Sequence, residues 1–508
     1  MAIPTSRSPR SSLYLGLAFL LILGCGAGLA WLLARAGVRA PLRIVMVAPL
    51  VEVNRGLEPG ESRAICSLIQ DHLEHLGRFA VTNLDELPAD PKPFLDQART
   101  LLIQVQPRRQ GEALVLSYRF AWGRQLARDA KTAWTFHVVE PLMPAQAFQS
   151  FLKTFPNPIQ APTRAPSQGL VPEGAGAFWD LVRAGAWRFR NEHLEDAISL
   201  TERVTQREPA CASAWILLGN LRYREMLNSP AAFRQEQADT EALLLRGLAL
   251  APFHPRGTFL LSLLKSDSGN QREALDLLLR ARRRQPYNPT LLTGVAYAAR
   301  GAGLLPLARR AMDIRDELAF AQLQPQAVDL TCLYTGEIQK FEASLQEQPG
   351  HLRSASGVLP FYRGYLALVR GDHPLARKEF QAAVNLSSAY PNILRLSEIY
   401  VLILAGRRDE AWTKLREYDQ ERIGMREPDG EFTIRLAEAY ALMGDRASAM
   451  EMANRAFSRG FGCTAWYERS PMLEPLRGMP KWNALLQHAK ERQALMEDQF
   501  PIGLLEDN

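Results

Sequence analysis

Cysteine is scarce in this chain: five residues among 508, at Cys25, Cys66, Cys211, Cys332 and Cys463, no two of them close together. An odd count with wide gaps excludes a disulfide framework, and no pair has the spacing of metal ligands. Isolated cysteines of this kind behave as small apolar residues. The short signatures of common catalysts are missing as well. There is no GxxxxGK[ST] phosphate loop, no GxSxG elbow, no HExxH helix and no kinase signature set. A strong charge of one sign is also lacking. The formal charge is +6, but Arg7, Arg10, Arg35 and Arg39 supply four of those charges before residue 41. The rest is nearly neutral, which speaks against nucleic acid, whose binders concentrate cations on the folded part.

Long apolar runs are present, once. Leu13 to Ala34 reads LYLGLAFLLILGCGAGLAWLLA, without a charge. A helix of this length spans the hydrocarbon core, with Tyr14 and Trp31 suited to the two interfaces. Ile22-Leu23-Gly24-Cys25 loosely resembles a lipoprotein cleavage box, so lipidation of Cys25 stays open. The residues after Cys25 remain apolar, which favours an uncleaved anchor. Arginines flank both ends. A short basic tail, residues 1–12, is expected on the cytoplasmic side, with the bulk of the chain outside the cytoplasm. Gly24 and Gly28 form a GxxxG pair that could seat a second copy, although glycine is common in membrane helices anyway.

Residues 42–155 read as a small α/β domain. Leu42–Val53 is β-prone; Glu61–Leu76 has helical spacing through Ile65, Leu68, Ile69, Leu73 and Leu76. Strands are expected at Phe79–Leu84, Leu101–Val105, Ala113–Ala121 and Ala133–Val139, then a helix at Pro144–Lys153. The order is β-α-β, a meander, then α. Residues 156–176 are proline-rich and read as a semi-extended linker. Asp71, His72 and His75 lie within one turn, where solvated surface is the better reading than metal ligation. Arg280, Arg282, Arg283 and Arg284 close a helix, where cations satisfy its dipole.

From residue 177 to 463 the chain repeats. A glycine precedes an alanine by five positions at Gly269/Ala274, Gly303/Ala308, Gly371/Ala376, Gly406/Ala411 and Gly444/Ala449. The beat is near 34 residues; Ala197 and Ala242 occupy the same slot upstream, with an insertion expected within Arg224–Gln237, and Ala343 sits one residue from the missing beat. The glycine ends the first helix of a pair in the left-handed region, the alanine lets the second helix approach, and Pro209 and Pro286 stop it.

This pattern resembles the tetratricopeptide repeat, with about eight units, one of them degenerate around Leu323–Ser356. The order of the domain at 42–155, with its Ala48-Pro49 strand end and Leu76-Gly77-Arg78-Phe79-Ala80-Val81, resembles the amino-terminal domain of TolB and its relatives. The tail at 464–508 resembles the segment closing such proteins and is expected to cap the open end of the stack. The fold class expected is therefore mainly α: a tetratricopeptide-type solenoid after a small α/β domain and one membrane helix. The repeat resemblance implies a concave groove lined by Asn220, Tyr223, Tyr297, Tyr334, Tyr365 and Tyr400, suited to an extended peptide or partner helix. A one-residue register shift would instead pack these tyrosines between helices. The expected role is a non-enzymatic scaffold of the bacterial inner membrane that binds protein, with no cofactor, no metal and no nucleic acid. The alternative is an accessory subunit or cryptic enzyme with its site in the α/β domain.

Overall fold

The computed structural model describes residues 42–47, 56–75, 79–84, 100–123, 135–153, 169–188, 191–228, 233–318, 328, 330–345, 357–386, 391–424 and 429–506. The apolar segment 13–34, with Gly24, Cys25 and Gly28, lies outside the described residues. Among the described residues no helix is long and apolar enough to cross a membrane.

Strands β1 (Leu42–Val47), β2 (Phe79–Leu84), β3 (Thr100–Gln110), β4 (Ala113–Trp122) and β5 (Thr135–Leu142) form one sheet in the order β2-β1-β3-β4-β5. β2 and β3 run parallel to β1, and β3-β4-β5 is an antiparallel meander. The crossover between β1 and β2 holds helix α1 (Glu61–His75), as a parallel pair requires. α1 buries Ile65, Ile69 and Leu73 with Val81, Leu101 and Ile103. Helix α2 (Pro144–Lys153) places Phe151 edge-on against Tyr118 at 4.7 Å.

Among the described residues eight helix pairs follow. They are α3 (Ala175–Trp187) with α4 (Leu194–Arg207), α5 (Ala212–Asn228) with α6 (Phe233–Leu250), α7 (Pro255–Asp267) with α8 (Gln271–Arg284), and α9 (Pro289–Ala302) with α10 (Leu305–Leu318). Then come α11 (Leu330–Thr335) with α12 (Ile338–Ser344), α13 (Val358–Val369) with α14 (His373–Asn385), α15 (Pro391–Leu404) with α16 (Arg408–Gly424), and α17 (Gly430–Leu442) with α18 (Arg446–Ser458). The packing is serial, as in a solenoid built of helix pairs.

The turn glycine does what its position demands. Gly406 has φ 72°, its N–H donates to Ile403 O at 3.0 Å, and Arg407 N–H donates to Leu402 O at 3.0 Å. These are the two bonds of a Schellman cap. The same pair closes the turns at residues 269, 303, 336, 371 and 444. Ala197, Ala274, Ala308, Ala376, Ala411 and Ala449 are each fully buried. Two slots differ from the sequence reading. Ala343 is exposed, and Phe341, five residues after Gly336, fills the buried position with a larger side chain. Ala242 is exposed too; Leu244 turns inward toward Gly219 in the lengthened second pair.

The proline-rich stretch does not act as a free spacer at its end. Ala212 N–H donates to Gly169 O, and the amides of Glu173 and Gly174 donate to Glu208. One apolar core runs from the sheet through Phe148 and Phe178 into the first pairs. The α/β domain is therefore fused to the solenoid rather than hung beside it.

The tail does more than cap. Helix α19 (Thr464–Arg469), a 3-10 turn (Pro471–Leu476), helix α20 (Pro480–Gln499) and a last turn (Ile502–Leu505) pack first on the eighth pair and then continue beyond it. They carry the eighth pair back to the third and fourth. Gly462 N–H donates to Gly301 O at 2.7 Å, and Met496, Phe500 and Leu505 join the core of α8, α9 and α10. Arg282 is buried and donates to the carbonyls of Leu504 and Leu505. Its role is to clamp this returning turn, not to neutralise its own helix end.

Candidate partner-binding groove

The closure fills the bore that the tyrosines were expected to line. Tyr334, Tyr365 and Tyr400 are each fully buried. Tyr334 packs 4.9 Å from the Trp466 ring and edge-on to Phe461, so the chain's own tail occupies the space. Tyr365 donates to Glu438 Oε2 at 2.5 Å. Tyr400 donates to the Arg435 carbonyl and stacks on Phe380 at 4.8 Å. These three rings are interior packing, which corrects their reading as an open groove face. Asn220, Tyr223 and Tyr297 are partly buried. Tyr223 and Tyr297 converge on one carboxylate: both hydroxyls donate to Asp267, Tyr297 at 2.8 Å.

The bore is also charged. Glu431, Arg435 and Glu438 stand at i, i+4 and i+7 on α17, one helical face turned inward. Arg300 of α9 grips Glu431 with two bonds, at 2.7 and 2.8 Å. Burial, the largest single effect, works to raise the Glu431 pKa, but the charge and hydrogen bonds of Arg300 together with Arg435 and Tyr334 outweigh it and hold the carboxyl below its ordinary value. Glu438 accepts from Tyr365, from Trp466 Nε1 at 3.0 Å and from Ser470 Oγ at 2.7 Å. Burial raises its pKa against the pull of Arg435. The Arg435 guanidinium lies 4.2 Å from the centre of the Tyr365 ring. Two arginines thus face two glutamates in a buried interior, Arg300 through direct bonds and Arg435 through the neighbouring charges and the Tyr365 ring, its three guanidinium nitrogens making no hydrogen bond among the described residues. Opposite charge nearby is the condition for burying charge at all. The stripe of Glu431, Arg435 and Glu438 was the sequence signal that periodicity counting of apolar residues alone passed over.

The α/β domain meets the third pair where Asp71, His72 and His75 lie. The structure corrects their reading as solvated: Asp71 and His72 are 3% and 5% exposed. Asp71 pairs with Arg256 of α7 at 3.3 Å, and His72 Nδ1 lies 3.1 Å from Leu68 O. His254 caps α7, its Nδ1 accepting from Gly257 N–H at 3.4 Å. Burial drives the pKa of His72 and of His254 down to about 4. Burial likewise raises Glu74 to about 7. Among the described residues no group of three His, Cys, Asp or Glu side chains is placed to hold a metal ion. Cys66, Cys211, Cys332 and Cys463 are buried thiols, and Cys332 Sγ accepts from Arg309. Burial pushes the thiols of Cys66, Cys211 and Cys463 up to about 12, far from nucleophilic at neutral pH.

No protein-family model matches the chain, and no curated protein is similar to it. Among solved structures it is similar to the tetratricopeptide domain of P58(IPK), at 13% identity over 63% of this chain and 99% of that one, with a TM-score of 0.18. A superposition that poor decides nothing, and the repeat assignment rests on the eight helix pairs and their capped turns.

Proposed function

We propose that this protein is a scaffold that holds protein partners, tethered to a bacterial envelope membrane by residues 13–34, with a TolB-like domain between anchor and solenoid. The observation that carries the reading is the serial array of helix pairs with repeated Schellman turns, a construction that yields extended surface. Because the tail fills the bore, partners would meet the outer faces. One such place is an outward groove of ≈440 Å³ between α12, α13 and α14, flanked by Arg363, Arg370 and the 44% exposed Leu375.

Fractionation combined with crosslinking tests this reading. The full chain should sediment with membranes and resist a carbonate wash, while a chain with 13–34 replaced by a polar segment should not. Crosslinking mass spectrometry in the host should return one or a few partners in stoichiometric yield, with crosslinks on the outer faces of α12 to α14. A full chain that stays in the soluble fraction overturns the anchor, and crosslinks confined to self-contacts overturn the scaffold.

A further inference from the structure

The two edges of the sheet are finished differently. At one edge the middle of β2 is closed off, with Ala80, Val81 and Thr82 all buried. At the other, β5 pairs with β4 alone among the described residues, and it presents Phe136 and Val138, each 68% exposed, on one face. His137 between them turns to the opposite face, as the pleat demands, and stacks 5.3 Å from the Tyr118 ring and 5.2 Å from Phe120. The strand is thus anchored to β4 by an aromatic sandwich, while its outer side stays open.

An open edge normally carries a device against pairing: a lysine, a proline, an inward charge or a very short strand. β5 is 8 residues long and has no lysine. Its proline, Pro141, and its register shift opposite Leu114 and Leu116 both sit at the far end, which leaves Thr135 to Glu140 undefended. The charges beside this stretch are polar in arrangement. Its one acid, Glu140, is exposed near one end. At the other end Arg119 of β4 stands across from Phe136, with its guanidinium 5.7 Å from the centre of that ring. A strand edge with an anion at one end and a cation at the other complements itself when it is turned end for end. A parallel copy would set like charge beside like.

We propose that β5 is the docking edge for β5 of a second copy of this chain, the two strands joining antiparallel about a two-fold axis at Val138. In this register Val138 faces Val138 of the second copy, and the second copy's Glu140 lies across from Phe136, in the row that ends with Arg119. Side chains directly opposite in an antiparallel pair come within about 5 Å, and diagonal neighbours remain in reach of an aromatic ring. Phe136 therefore packs beside Val138 of the second copy, and Arg119 meets the second copy's Glu140 over the Phe136 ring. Main-chain groups along the edge supply the remaining bonds, as in any strand addition. The two-fold contact uses up both edges, so assembly stops at a dimer. One strand per copy makes a small interface of the transient class. The dimer depends neither on the membrane anchor nor on the scaffold role, and it is separate from any pairing through Gly24 and Gly28.

The test uses the full chain purified in detergent, with Cys25→Ser so that the apolar segment contributes no thiol. Sedimentation equilibrium should show monomer and dimer in exchange. Val138→Lys sets two cations against each other at the axis and should weaken the dimer at least about tenfold, with the melting temperature of the monomer unchanged. Arg119→Glu should weaken it about as much, and the charge-swapped R119E/E140R should restore it, which a misfolded chain cannot imitate. Register is read by cysteine cross-linking with the shortest bis-methanethiosulfonate. Val138→Cys should link two copies, whereas Phe136→Cys should not, because its counterpart lies about 14 Å along the strands. A chain that stays monomeric at every concentration overturns the proposal. So does a dimer indifferent to Val138→Lys, as pairing through Gly24 and Gly28 would be, or cross-linking of Phe136→Cys as ready as that of Val138→Cys. A monomer whose edge instead takes up another protein's extended peptide, lost in Val138→Lys, overturns the second copy as its occupant.

Discussion

Two buried polar regions of this molecule differ in how their ionisable groups are held. In the bore, Arg300 grips Glu431, and Glu438 collects donors from Tyr365, Trp466 and Ser470, while Arg435 lies over the Tyr365 ring. At the junction of α1 and α7, Asp71 pairs with Arg256, and burial shifts Glu74, His72 and His254 toward their neutral forms. The first region ties α9 and α17 to the returning tail by charge and hydrogen bonds. In the second, desolvation outweighs charge.

The bore should be the costlier place to disturb. Trp466→Ala removes a ring that is 1% exposed, together with a donor to Glu438, and should lower stability by about 3–5 kcal/mol in urea denaturation. Glu438→Leu leaves Arg435 uncompensated and should cost a similar amount, about 3–5 kcal/mol. If Glu438→Leu proves neutral, the bore is not held by its charge balance and the contrast with the junction collapses.

The junction should respond to protons. In the unfolded chain Glu74 titrates near 4.5, and in the folded protein near 7. The folded state thus holds that proton more tightly, so stability is kept below 4.5 and lost as pH rises through 7. Glu74→Gln should remove this loss, raising stability above pH 7 by up to about 3 kcal/mol and leaving it unchanged at pH 4. His254 works in the opposite direction, since its pKa falls from 6.5 to about 4 on folding. Its contribution is intact above 6.5 and lost as pH drops toward 4, because protonated Nδ1 can no longer accept from Gly257. His254→Asn keeps a capping acceptor without a proton to gain, and should flatten that acid limb in denaturation curves recorded from pH 4 to 7.

The smallest effects separate turn strain from closure. Around Gly406 nothing lies within 4 Å of an added Cβ, so Gly406→Ala should cost only the left-handed backbone, about 1–2 kcal/mol. A Cβ at Gly303 would also meet Gly462 O at 2.7 Å, on the returning tail. Gly303→Ala should cost measurably more than Gly406→Ala in the same thermal assay. Equal costs would mean that the tail does not bind the fourth pair.

Local regularity was legible in the sequence. The span Phe79–Leu84, the helix Pro144–Lys153 and the glycine-to-alanine offset each depend on neighbours within a few residues, and each appears where periodicity places it. The groove was not legible, because whether Tyr365 faces solvent or Trp466 depends on a tail 101 positions away. Ala343 misled for a related reason: Phe341 took the buried slot once its small first helix left room. The junction could not be read at all, since Asp71 and Arg256 meet from helices far apart in the chain with no shared motif.

The most direct test of the account is hydrogen–deuterium exchange of the full chain compared with its Trp466→Ala variant. The substitution should speed exchange along α17 and at the ends of α8, α9 and α10 that the returning tail covers, while α1 and the sheet keep their rates. Unchanged exchange at α8 to α10 and α17 would contradict it.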